Sequence, residues 1–320
     1  MFDNKKFAYE TKLGRAFIGD SLILIPELED NSVNLAFISP PFALLRQKEY
    51  GNKEQHEYVE WLGQFATLIK PKLKEDGSLV VDLGGAYERG YPVRSLYNFR
   101  VLLYFCDVLG YKLAEEFYWH NPSKLPSPIE WVNKRKIRAK DSVNTVWWFC
   151  KNEFPKADIK NVLAPYSDRM KKLIENPDKF YTPKKRPSGH DIGASFGTDN
   201  GGAIPSNLLS FSNSESNSKY MSSCKNLNLK AHPARFPKKL PEFFINYLTD
   251  KNDLVLDFFA GSNTTGEVCE ELNRRWISFE IDPQYVATSA FRFLPENTNA
   301  EKIYEKILNG TSVSILNPSS

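Results

Sequence analysis

Residues 254–275, LVLDFFAGSNTTGEVCEELNRR, decide how the chain folds. Leu254 to Leu256 form a short apolar run with the character of a buried strand, and Asp257 ends it. A turn of small residues follows, Gly261-Ser262-Asn263-Thr264-Thr265, and a helix starts near Thr265. Strand, small-residue loop and helix make the opening unit of a mononucleotide-binding half. Alone, such a turn is a weak signal. The next strand, Trp276 to Glu280, ends in Glu280-Ile281-Asp282 and supplies an acidic residue about 20 positions on, where it can bond ribose hydroxyls. Together they predict a doubly wound, mostly parallel α/β sheet.

A second strand end lies near the other end of the chain. Leu35 to Ile38 is an apolar run that stops at Ser39, because Pro40 and Pro41 cannot donate to a sheet ladder. In an open α/β sheet the ligand crevice lies beyond the carboxyl ends of the strands. Ser39-Pro40-Pro41-Phe42 offers a hydroxyl there, carbonyls held by two fixed φ angles and an aromatic face. Those groups suit a planar ring bearing an exocyclic amine. Gly77 turns the chain into the strand Leu79 to Val81, which places Asp82 at the same rim, before Gly84 and Gly85. Neighbouring strands bring Ser39 and Asp82 within hydrogen-bond reach; alternatively, Asp82 is a turn-capping carboxylate. Asp20, after the strand Ala16 to Ile18, caps the helix from Ser21 or accepts from a ligand, and its residue type favours the cap.

Between these ends the chain changes character. Residues 43–58 read as a mobile loop, and the helical spacing of 57–70 makes its aromatics core. The strand ending in Asn121-Pro122 leads to a Pro-Ser loop on the rim, and His120, with no His or Cys partner nearby, reads as structural. Lys134, Arg135, Lys136 and Arg138 follow in a basic run, a solvated helix face or a phosphate contact. Residues 145–151, TVWWFCK, read as an edge or hairpin strand closing the sheet. From 156 to 230 helical and strand periodicity fades, and twelve Lys and Arg stand against seven Asp and Glu. That segment reads as a loop-rich insert that can lay Lys184, Lys185 and Arg186 on a nucleic-acid backbone and send His190 into a groove. Past Phe293 the tail carries a short helix at most.

Composition narrows the classes. The net charge is only +3, so the basic insert, not bulk charge, points to nucleic acid. The four cysteines, Cys106, Cys150, Cys224 and Cys269, show no Cys-x-x-Cys pairing, which argues against a disulfide framework or a zinc site and for a reducing compartment. The N-terminus lacks a signal-peptide core, and no stretch reaches the length of a membrane span. A cytoplasmic protein without metal is expected.

SPPF at 39–42, DFFAGSNTT at 257–265 and AHPARFP at 231–237 resemble the motifs of the amino-group DNA methyltransferases. Their order, catalytic turn first and cofactor loop last, resembles the circularly permuted β group. The resemblance runs over roughly residues 7–295 and departs where Phe258 replaces a Pro and Asn263 replaces a Gly. Asn tolerates left-handed backbone geometry, so the loop can keep its shape.

The resemblance implies an S-adenosylmethionine-dependent methyltransferase sheet, Rossmann-like, with an inserted DNA-recognition region. It divides the chain into a catalytic half at 1–155, a target-recognition region at 156–230, a cofactor half at 231–295 and a tail at 296–320. It implies transfer of a methyl group to cytosine N4 in double-stranded DNA, with the inner cytosine of CAGCTG as target, by an enzyme of a restriction-modification system acting as a monomer. Ser39 and a Pro40-Pro41 carbonyl would hold the amine, Phe42 would stack on the flipped base, and Asp82 would receive the proton through Ser39. Asp257, Phe259, Gly261, Ser262, Asn263, Thr264, Thr265 and Glu280 would hold the cofactor, Glu280 at the ribose and Asp20 at the adenine amine. Phe236 either packs on the methionine end or is a core aromatic. The rival reading is an adenine-N6 methyltransferase, whose turn usually starts with Asp or Asn. Cytosine-C5 chemistry lacks its cysteine after proline, and a nicotinamide-dependent dehydrogenase lacks its Gly-x-Gly-x-x-Gly. A DNA-binding module without catalysis leaves Ser39–Phe42 and Asp82 unexplained.

Overall fold

A computed structural model of the chain describes residues 6–42, 57–177, 197–213 and 218–316. It divides into two compact units, Met1–Ala157 with Asn207–Ser320, and Asp158–Ser206. The loop expected at 43–58 falls almost wholly outside the described residues, as do Lys184, Lys185, Arg186 and His190.

The larger unit is built on one sheet of ten strands: β1 Tyr9–Glu10, β2 Gly14–Ile18, β3 Val33–Ile38, β4 Leu73–Gly84, β5 Lys112–His120, β6 Val143–Cys150, β7 Leu208–Ser210, β8 Leu254–Asp257, β9 Arg275–Glu280 and β10 Val313–Ser314. Their order across the sheet is β10-β1-β2-β9-β8-β3-β4-β6-β5-β7. The five central strands, β2, β9, β8, β3 and β4, run parallel. β3 and β8 are buried at every residue, as parallel strands covered on both faces must be.

The helices in chain order are α1 Ser21–Leu24, α2 Tyr58–Ile69, α3 Tyr97–Leu103, α4 Asp168–Glu175, α5 Lys219–Asn226, α6 Lys239–Leu248, α7 Thr264–Glu271, α8 Pro283–Ser289 and α9 Ala300–Leu308. From β8 the chain passes through α7 to β9 on one side, and from β3 through α2 to β4 on the other. The order therefore reverses between β8 and β3, the switch point at which open α/β sheets bind ligands. The β3–β8 ladder carries only Leu35↔Val255 and Ala36↔Leu256. Below it the buried Asn34 side chain accepts from Leu254 N at 3.0 Å, locking the register.

Four expectations change. The strand at 143–150 is neither an edge nor the closing strand: β6 lies between β4 and β5, antiparallel to both. Its unbroken run Val146-Trp147-Trp148-Phe149 is buried on both faces, and β7 takes the edge. Gly77 does not turn the chain; β4 continues through it with a bulge, the register stepping from Val33↔Leu73 to Leu35↔Ser78. The basic run of 134–138 does not form a regular helix face, since one wide turn, Glu130–Lys134, ends at Arg135. The tail past Phe293 holds the two-turn α9 and the edge strand β10, which pairs in parallel with β1.

The smaller unit holds α4, capped by Ser167 Oγ accepting from Met170 N at 3.3 Å, and a two-residue bridge between Ala164 and Ala203. Tyr166 Oη accepts from Asn200 N at 2.7 Å within it.

Candidate active site

Beyond the carboxyl ends of β3 and β8 a cavity of about 680 Å³ opens, walled by the Ser39–Phe42 turn on one side and the Phe258–Ser262 loop on the other. Because β3 and β4 pair Ile38 with Val81, the next residues, Ser39 and Asp82, fall side by side. The Ser39 hydroxyl donates to Asp82 Oδ2 at 2.9 Å. The second carboxylate oxygen accepts from Asn144 Nδ2 at 3.0 Å. Asp82 is 1% exposed, and burial pushes its carboxyl up to about 6, against the opposing pull of the Asn144 and Ser39 hydrogen bonds. The Phe42 ring packs close to β4 because Gly84 has no side chain; a Cβ there would stand 2.4 Å from the ring.

The Phe258–Ser262 side of the cavity is a braced loop. Gly261, at φ +50°, donates its N–H to Glu280 Oε2 at 2.9 Å, and Asp282 N donates to Glu280 Oε1 at 3.0 Å. Burial raises the Glu280 carboxyl, which these backbone bonds resist. Asp257 accepts from Thr265 Oγ1 at 2.6 Å and from Phe259 N at 3.0 Å, and burial pushes its carboxyl up to about 7. Asp20 does cap α1, accepting from Leu22 N at 2.9 Å, and it also lines the cavity.

Of the residues expected to hold a cofactor, Asp20, Phe236, Phe259, Gly261, Ser262, Thr264 and Glu280 line the cavity. Asp257, Asn263 and Thr265 stand behind its wall, each about 1% exposed, and act on the loop rather than facing the space. Phe236 does both things considered for it, packing edge-on against Phe37 at 5.4 Å while facing the cavity. The departures at 258 and 263 are absorbed locally. Phe258 stacks on Phe65 of α2 at 6.0 Å, and Phe259 sits 4.9 Å from the same ring, so Trp61 and Phe65 are wall as well as core.

Asn263 adopts φ +55° and ψ +43°, accepts from Gly266 N at 3.1 Å and donates to Tyr9 Oη at 2.9 Å. Asn263→Ala loses the cap and places a Cβ residue without a compensating bond in the left-handed region, an expected cost of about 2 kcal/mol. Asn263→Gly, which relieves the backbone, should recover roughly half of that loss. Urea unfolding checks it, and equal losses in the two variants would refute the backbone contribution.

Other residues of the site gave little signal in the sequence. Arg292, its side chain wholly buried, donates to Ser262 O at 2.6 Å and Ser262 Oγ at 3.0 Å and pairs with Glu267 at 2.6 Å. Asn144, Trp119, Lys124, Asn213, His232 and Arg235 also line the cavity. Asn144, the second residue of β6, stands opposite Gly84 and Trp119, a placement that only the antiparallel register reveals. His120 sits at the end of β5, its Nδ1 3.1 Å from Ser210 Oγ, and does not line the cavity.

Outside the cavity, Lys134 and Arg135 both pair with Glu130, at 3.2 and 3.0 Å, and stay exposed. Arg138 binds backbone carbonyls of Pro92 at 2.8 Å and Ile137 at 2.7 Å, while Lys136 takes φ +55°. The four basic residues thus shape a loop as well as presenting charge. Among the described residues no helix is long and apolar enough to cross a membrane, and no group of three or more His, Cys, Asp or Glu is placed to hold a metal ion.

Known proteins are similar to this chain in sequence and fold. The chain is 66% identical over 314 residues to the type II methyltransferase M.PvuII of Proteus hauseri, covering 97% of this chain and 94% of that protein. It is 26% identical over 274 residues to the type II methyltransferase M.BglII of Bacillus subtilis, covering 86% of this chain and 67% of that one. Among solved structures, a PvuII DNA methyltransferase described as cytosine-N4-specific superimposes with a TM-score of 0.81 at 55% identity, covering 97% of this chain and 98% of that one. Residues 33–291 match the family of N6 and N4 DNA methylases. With the Ser39–Phe42 turn, the Phe258–Ser262 loop and the switch point all inside that span, the chain belongs to the DNA methylase family.

Proposed function

We propose that this protein transfers the methyl group of S-adenosylmethionine to N4 of cytosine in double-stranded DNA, at the inner cytosine of CAGCTG, within a restriction-modification system. The observation that carries the reading is the Ser39–Asp82 hydrogen bond of 2.9 Å at the cavity floor, facing the cofactor loop. The similarity to a cytosine-N4-specific enzyme supports it.

The cavity suits both ligands. Its volume of about 680 Å³ lies in the range of small-molecule and cofactor sites. Its cofactor end offers the carboxylates of Glu280 and Asp20 to ribose and adenine donors, the apolar faces of Phe236 and Phe259, and the backbone of Gly261 and Ser262. S-adenosylmethionine, when bound, supplies an electrophilic methyl group on a positively charged sulfur.

The chain's residues make the amine able to take it. The lone pair of cytosine N4 is delocalised into the ring, so N4 is a poor nucleophile while planar. Ser39 Oγ, whose own proton points to Asp82, is free to accept one N4–H, and a Pro40 or Pro41 carbonyl accepts the other. These bonds draw N4 toward tetrahedral geometry and aim its lone pair at the cofactor. Phe42 holds the flipped base by its face. As positive charge builds on N4, its proton passes to Ser39 Oγ and the serine proton passes to Asp82, a carboxylate that burial has made more basic.

Residues 1–155 then carry the catalytic half, 231–295 the cofactor half and 296–320 a tail. Residues 156–230 read the target, with Lys184, Lys185, Arg186 and His190 toward DNA; the surplus of basic residues there supports this. Lys134, Arg135, Lys136 and Arg138 add phosphate contacts. The protein acts in the cytoplasm as a monomer, since each strand of the site is modified in a separate event. Digestion and mass analysis of a CAGCTG duplex treated with the protein and labelled S-adenosylmethionine should yield N4-methylcytosine. Labelled N6-methyladenine in its place would overturn the assignment.

A further inference from the structure

The catalytic end of the cavity holds a cation that the chemistry above does not use. Lys124 lines the wall beside Asn121 and Trp119, on the turn beyond the carboxyl end of β5. That turn is clamped. Lys124 N donates to Asn121 O at 3.2 Å, Ser123 N and Oγ donate to Asn121 Oδ1 at 3.2 and 2.9 Å, and Lys140 Nζ reaches the carbonyls of Pro122 and Lys124 at 3.0 and 3.2 Å. The Lys124 backbone is therefore fixed, yet among the described residues its ammonium has neither a hydrogen-bond acceptor nor an ion-pair partner. It is close enough to Asp82 for its charge to act on that carboxylate. A half-buried cation on a rigid turn, without a partner among the described residues, is placed to meet an acceptor on a ligand.

The flipped base has a group to match. Ser39 and the proline carbonyls deal only with the two N4–H donors and leave the acceptors N3 and O2 to other groups. We propose that Lys124 binds O2 of the flipped cytosine and so selects a pyrimidine carbonyl at the target position. O2 is the acceptor farther from N4, so an ammonium there holds the base while keeping its charge away from the positive charge that builds on N4. Adenine presents a C–H at the corresponding corner and leaves the ammonium unpaired, which makes the contact a discriminator as well as an anchor.

This inference rests on the N4-methylation reading, and the two fail differently: wild-type protein that yields no N4-methylcytosine sinks the reading before any variant is compared. The test pairs Lys124→Met and Lys124→Arg with CAGCTG duplexes carrying cytosine or 2-thiocytosine at the target, sulfur being the weaker acceptor. For wild type, the thio substitution should lower kcat/KM about tenfold, the scale of a hydrogen bond to a charged group. Lys124→Met should lose about ten- to a hundredfold in kcat/KM on cytosine, mostly in KM, with cofactor affinity unchanged, and should be indifferent to the sulfur. Lys124→Arg, keeping charge and donors, should retain part of both the activity and the sulfur penalty.

A Lys124→Met variant that still pays the full sulfur penalty overturns the proposal. If Lys124 only tunes Asp82, the acid limb of the pH profile moves while the sulfur penalty stays. If it only grips a phosphate, the salt dependence of DNA binding becomes shallower and the sulfur penalty again stays.

Discussion

Asp82→Asn should lower kcat by about 10²–10⁴, some 3–5 kcal/mol of transition-state stabilisation, while cofactor affinity stays near the wild-type value. The substitution keeps the shape of the carboxylate and an oxygen that can still accept from Ser39, but the amide cannot take up a proton. Burial disfavours the charged form of Asp82 and brings its carboxyl to about 6. The base form therefore predominates above that pH and is lost below it. Wild-type kcat/KM should fall about tenfold per pH unit as pH drops below about 6, and Asp82→Asn should lack this limb. Ser39→Ala removes the intermediate carrier and should cost a similar factor. Because the two residues act as one relay joined at 2.9 Å, the double variant should be little worse than either single one. Full turnover by Asp82→Asn, or additive losses, would remove the relay from the mechanism.

The Ser39–Asp82 contact was legible in the sequence for a topological reason. Ser39 follows β3 and Asp82 lies near the end of β4, which runs on to Gly84 instead of stopping at Val81, and the parallel register Ile38↔Val81 sets the two side by side. The loop after β8 was legible because strand, small-residue turn and acidic strand end are fixed by the spacing of β8 and β9. What escaped detection depends on partners far away in sequence. Asn144 is one residue ahead of the strand read from 145 and is tied to Asp82 only through an antiparallel pairing with no local signature. Arg292 is a single basic residue among apolar neighbours, and its role as the brace of Ser262 follows from a contact 30 positions away. The placement of β6 could have been inferred, since Val146 to Phe149 has no polar alternation and an edge strand usually shows one. β10 could not, because two residues of chain carry no period.

Glu280 is where bracing and binding have to be separated. Both of its oxygens accept backbone N–H groups, from Gly261 at 2.9 Å and Asp282 at 3.0 Å, so the side chain shapes the loop before any ligand arrives. Glu280→Ala leaves those donors without acceptors, at about 1–3 kcal/mol for each that stays buried, and removes the proposed ribose contact as well. Its Kd for S-adenosylmethionine should rise about 100-fold, and its melting temperature should fall by several degrees. Calorimetric titration and thermal unfolding read the two effects separately. Glu280→Gln keeps one acceptor and the side-chain shape, and should recover much of the stability while recovering less of the affinity. The distinguishing ligand is a cofactor analogue lacking both ribose hydroxyls. If Glu280 binds the ribose, wild type discriminates against the analogue and Glu280→Ala does not. If Glu280 only braces Gly261, both proteins discriminate equally, and the affinity lost in the variant is the cost of a loop that no longer holds its shape.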